Sequence, residues 1–76
     1  MRLKKNVSLK DFIDTVKRCQ HDVYFESNEG DHLNLKSTIS QFVFASAGND
    51  EGYLHQGTIM CESVSDYATL ADYIEE

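Results

Sequence analysis

The sequence predicts an α+β fold, with a small antiparallel sheet and helices packed on one face of it. Three observations carry that expectation. Apolar residues between positions 9 and 19 recur at helical spacing. Residues 22–27 and 32–36 alternate apolar with polar, and Asn28, Glu29, Gly30 and Asp31 form a turn between them. A second helical stripe closes the chain, so the expected order is α-β-β-α-β-α.

The first helix is expected over 8–19. Ser8 suits the N-cap, Asp11 stands where a capping-box acid belongs, and Val7 and Phe12 occupy the hydrophobic-staple positions. Leu9, Phe12, Ile13, Val16 and Cys19 then share one face, and Lys17 and Arg18 fall in the last turn, where they favour the negative end of the dipole. In the hairpin, Val23 and Phe25 alternate with Tyr24 and Glu26, and Leu33 and Leu35 with Asn34 and Lys36. Ser37 reads as a second N-cap, followed by Ile39, Phe42 and Val43 at helical spacing. Residues 46–52 read as a polar loop, with Tyr53 and Leu54 an apolar return. Gly57 opens a strand from Thr58 to Glu62, with Ile59 and Cys61 on one face. The last helix starts near Ser63 or Ser65 and carries Tyr67, Leu70, Ala71 and Ile74 as its stripe.

Residues 1–76 read as a single domain near the lower size limit for folding without staples, one that buries roughly 60% of the surface its unfolded chain exposes. There is no linker, repeat or low-complexity tract, and proline is absent. The 13 acidic and 7 basic side chains give a charge of −6, which disfavours nucleic acid and anionic membranes as partners. The basic residues gather at the N-terminal end, and 37–76 holds no Lys or Arg. Cys19 and Cys61 do not make a disulfide framework, and neither a signal peptide nor a membrane span is visible. The expectation is a cytoplasmic protein with both thiols reduced.

From Asp22 onward the wording and the order of elements resemble HPr, the small histidine-containing phosphocarrier of the bacterial sugar phosphotransferase system. The most specific match is Asn34-Leu35-Lys36-Ser37, similar to the strand end and helix-capping serine of the Gram-positive HPr family. Asp22-Val23-Tyr24-Phe25-Glu26 resembles the strand that opens the family's hairpin, and Gly57-Thr58-Ile59-Met60 its last strand. The resemblance covers roughly residues 7–76 and implies an open-faced sandwich, here with the first strand missing or rudimentary.

The departures bear on function. The family carries a His-x-Arg-Pro loop at the start of its first helix, where the histidine accepts the phosphoryl group and the arginine supports the phosphorylated state. Counting back from Asp22 without gaps, Lys5, Val7 and Ser8 take the places of the histidine, arginine and proline. Lysine is protonated at neutral pH and cannot accept the phosphoryl group in that way. The resemblance is therefore to a degenerate member lacking the phosphoacceptor histidine. Segment 46–52 looks like an insertion.

Ser37 is the regulatory candidate, since the family's matching serine is phosphorylated by a dedicated kinase, and a phosphate at a helix N-terminus meets free amide groups. The plainer reading of Ser37 is a helix cap. In the family the helix behind this serine carries residues on which partners dock. Here Thr38, Gln41, Phe42 and Phe44 are the partner-binding candidates. Cys19, His21, His32, His55 and Cys61 lack a trusted zinc-ligand spacing, and no metal or other cofactor is expected. Asp50, Glu51, Asp66, Asp72, Glu75 and Glu76 read as solvated acids, with Asp66 suiting a helix dipole.

No set of residues for catalysis can be assembled, so the expected function is that of a non-catalytic regulatory or binding module, without histidine phosphotransfer and with phosphorylation at Ser37. The resemblance implies a phosphotransferase-system enzyme, the HPr kinase or a transcriptional regulator as protein partner. The alternative is a structural or interaction protein that shares only the fold. It would act through aromatic surface or through an exposed edge of strand 58–62, which could also pair two copies as a homodimer. Residues 2–5 could cover that edge in part.

Overall fold

Ser8 opens the first helix as its sequence requires. In the computed structural model, which describes residues 1–76, α1 spans Leu9–Val16, and Ser8 Oγ accepts the Asp11 N–H at 3.2 Å. Phe12, Ile13 and Val16 turn inward, while Lys10 pairs with Asp14 at 3.0 Å on the solvent side. The helix stops short of the expected residue 19. The amides of Arg18 and Cys19 bond to Thr15 and Val16 instead, tightening the exit into i to i−3 turns. The carbonyls at this exit are also met from elsewhere in the chain. Lys36 Nζ donates to the Cys19 carbonyl at 2.5 Å and sits 3.4 to 3.5 Å from those of Lys17 and Val16.

The hairpin forms as expected, with β2 at Val23–Glu26 and β3 at His32–Asn34, antiparallel and with Phe25 opposite Leu33. Gly30 supplies the positive φ of +95° in its turn, and Ser27 Oγ accepts the amides of Glu29 and Asp31. The third predicted strand, β4 at Thr58–Cys61, pairs antiparallel with the other side of β2, giving the order β3-β2-β4. Val23, Phe25 and Ile59 lie on one face of this sheet and are fully buried. They meet Phe12 of α1, Phe44 of α2 (Thr38–Ser46), Leu54 of α3 (Glu51–Gln56) and Leu70, just past α4 (Val64–Thr69). Phe44 sits at the centre, 5.8 Å from the Phe12 ring and edge-on to Phe25 at 5.1 Å. On the opposite face Tyr24 stacks on His32 at 4.9 Å, and His32 meets Glu26 across the hairpin at 3.0 Å.

Three expectations are corrected. Segment 46–52 is not all loop, because α3 begins at Glu51. Asp50 Oδ1 caps it by accepting the Tyr53 N–H at 3.0 Å, so Tyr53 and Leu54 belong to a helix. The closing helix ends at Thr69, and Ala71 is exposed. Ile74 is buried in a strand instead: β5 at Ile74–Glu75 pairs with β1 at Arg2–Leu3, Leu3 opposite Ile74. A third correction concerns α2. Phe44, expected as a partner-binding residue, faces the core, while Ile39, Phe42 and Val43 share a face that points to solvent.

The N-terminal stretch also reaches β4, where the Ile59 N–H donates to the Met1 carbonyl at 2.6 Å. It thus meets part of the edge that residues 2–5 were expected to cover. The observed order is β-α-β-β-α-α-β-α-β, an α+β fold with two antiparallel sheets. No helix is long and apolar enough to cross a membrane.

Candidate functional site

Each residue of Asn34-Leu35-Lys36-Ser37 has a separate structural task. Asn34 Oδ1 accepts the Lys36 N–H at 3.0 Å and its carbonyl accepts the Ser37 N–H at 2.9 Å, closing a turn at the end of β3. Leu35 is fully buried and anchors that turn to the core. Lys36 reaches back to the end of α1. Ser37 is left at the head of α2 with extended backbone, φ −83° and ψ 132°.

The Ser37 carbonyl accepts the first intrahelical bond, from Gln41 N–H at 2.9 Å. Its hydroxyl behaves differently from that of Ser8. Ser37 is exposed, and its side chain makes no capping hydrogen bond. No acidic side chain lies in the first turn of α2 either. The amides of that turn therefore have neither an intrahelical acceptor nor a side-chain capping acceptor.

Behind Ser37 the exposed face of α2 is apolar. Ile39 is 77% exposed and Phe42 74%, with Val43 beside them. The helix bears no charged side chain from Thr38 to Ser46. Ile39, Phe42 and Val43 thus leave apolar surface in water on one face of α2. Of the four partner-binding candidates, Thr38 and Phe42 are exposed. Gln41 is half-buried, and its Nε2 donates to the Leu35 carbonyl at 2.8 Å, tying α2 to the turn before it. Phe44 is 0% exposed, so its ring is core and cannot contact a partner. Ile39 and Val43 were missed as surface residues because their i, i+3, i+4 spacing with Phe42 is also the pattern of a buried face.

The remaining chemistry is dispersed. His21 lies 3.9 Å from Glu62, His32 pairs with Glu26, and His55 Nδ1 is 3.0 Å from the Leu3 carbonyl. No three His, Cys, Asp or Glu side chains converge. Burial raises both thiols, that of Cys61 to about 11, so they stay protonated at neutral pH. Asp66 is not a solvated acid. It is 2% exposed and accepts the backbone N–H groups of Gln20 at 3.0 Å and His21 at 2.9 Å, which hold its carboxyl below the usual range. This bond set fixes the segment after α1 to α4.

No family model, curated protein or solved structure matches the chain.

Proposed function

We propose that the chain is a non-catalytic, HPr-like regulatory or binding module, related to the sugar phosphotransferase system, that works without histidine phosphotransfer. Ser37 is its regulatory phosphorylation site, and the α2 face of Thr38, Ile39 and Phe42 is where a protein partner docks. The observation that carries this reading is the Ser37 hydroxyl, exposed and free of capping bonds at the head of a helix whose solvent face is apolar. A phosphate there would meet the open amides of the first turn with no neighbouring carboxylate in that turn to repel it. It would also place a dianion beside Ile39 and Phe42, altering how readily that face is desolvated by a partner.

The family's kinase, a phosphotransferase-system enzyme and a regulator are the partner classes the resemblance implies, in the cytoplasm. Incubation with an HPr kinase and ATP, read by intact mass, tests the proposal.

A second reading is favoured by Phe42 itself. With 74% of its surface in water, it suits a structural or interaction protein that shares only the fold and docks through its aromatic surface. Self-association through the β4 edge has less support, because the Ile59 N–H is already bonded to Met1. A chain that gains no phosphate from the kinase, yet captures a partner that is lost in Phe42→Ala, would favour this second reading.

A further inference from the structure

Away from α2 the surface has one cleft, of about 270 Å³, between the N-terminal stretch and α3. Arg2, Lys5, Glu51, Gly52, His55 and Gln56 line it, with no apolar side chain among them. In a chain of charge −6 this cleft gathers two cations, Arg2 and Lys5, and neither takes part in a salt bridge. Glu51 is the sole carboxylate in the lining.

Gln56 is set as a donor, and His55 is held in place by a bond of its own. Gln56 Oε1 already accepts from Asn28 Nδ2 at 2.7 Å, so its carbonyl is occupied and its NH2 remains to donate, on the side facing Gly52. His55 Nδ1 lies 3.0 Å from the Leu3 carbonyl, which can only accept, so that nitrogen carries the proton and pins α3 to β1. A cation would meet two like charges here, and an apolar ligand would find nothing to bury against. Arg2, Lys5 and the Gln56 NH2 can each donate, and a cleft lined by such residues matches an oxyanion.

We propose that this cleft binds a small oxyanion of the phosphate class through Arg2, Lys5 and Gln56, with Glu51 opposing and limiting the affinity. The proposal is independent of Ser37 and of the α2 face.

The test is an amide NMR titration of the full chain with inorganic phosphate, and separately with glycerol phosphate, sodium chloride holding ionic strength constant. Saturable shifts are expected at the amides of Arg2, Lys5, Gly52, His55 and Gln56. Lys5→Gln is expected to weaken the dissociation constant about tenfold, and Glu51→Gln to tighten it several-fold. Both substitutions fall at exposed positions, and the variant spectra report directly whether the fold is kept. Saturation by inorganic phosphate assigns the site to the free anion, and saturation by glycerol phosphate alone assigns it to a phosphomonoester. Shifts that do not saturate with either ligand, that chloride reproduces, or that neither substitution alters would overturn the proposal.

Discussion

Asp66 Oδ2 accepts the His21 backbone N–H at 2.9 Å, joining positions 45 apart in sequence at a carboxylate that solvent scarcely reaches. With the neighbouring bond from Gln20, it ties the exit of α1 to α4. These amides hold the carboxyl below its usual range, so the folded chain binds the Asp66 proton more weakly than the unfolded chain does. The resulting stability is present above the unfolded carboxylate value, about 3.9, and is lost as pH falls from there through the folded value. Urea midpoints should drop on acidification through this window. Asp66→Asn should lower the midpoint at pH 7 and flatten its acid dependence. An unchanged acid dependence in the variant would show that other carboxylates set it.

The two phenylalanines of α2 should separate cleanly. Phe44→Ala removes a fully buried ring between Phe12 and Phe25 and should cost about 3–5 kcal/mol, enough to unfold much of so small a domain. Phe42→Ala should change stability by no more than about 0.5 kcal/mol, because its ring is already in water. Equilibrium urea unfolding of both variants reads the difference, and similar losses in the two would contradict the orientation of α2.

Gly57 is required by close approach. A Cβ at this position would meet the Phe25 ring and would lie 2.8 Å from the Glu26 carbonyl oxygen. Gly57→Ala should therefore destabilise by about 1–3 kcal/mol, measured by thermal or urea unfolding. A neutral effect would mean that α3 and β4 can separate from β2 without penalty.

Cys61 should be a slow nucleophile. With its thiol pushed up to about 11 by burial, almost none is thiolate at pH 7.5, and Cys19 is raised by the same cause. Native protein should react with Ellman's reagent far more slowly than protein in denaturant, and the rate should keep rising with pH well past 9. Fast modification of the native state at neutral pH would contradict this burial.

The sequence was most informative where a pattern ran for several residues with a local start signal. Ser8 with Asp11, the alternation around Phe25 and the turn at Gly30 all formed as their chemistry requires. It failed where elements are short or defined by distant partners. Arg2–Leu3 and Ile74–Glu75 are two-residue strands, too short to show alternation, and each exists because the other lies beside it. The α3 helix was hidden in a run of Gly, Asn, Asp and Glu whose Asp50 acts as a cap rather than as a loop residue. For α2 the spacing of Ile39, Phe42 and Val43 revealed a face but not its direction, since periodicity is the same for a buried stripe and an exposed one. Ser37 reads from sequence as an N-cap like Ser8, and only the structure distinguishes its unengaged hydroxyl from the capping hydroxyl of Ser8.

The most direct test of the regulatory reading is the intact mass of the chain after incubation with an HPr kinase and ATP, run beside Ser37→Ala. That variant should fold with nearly unchanged stability, because no capping bond is lost. One added phosphate is expected on the native chain and none on the variant. No mass change on the native chain, or a phosphate that persists in Ser37→Ala, would contradict it.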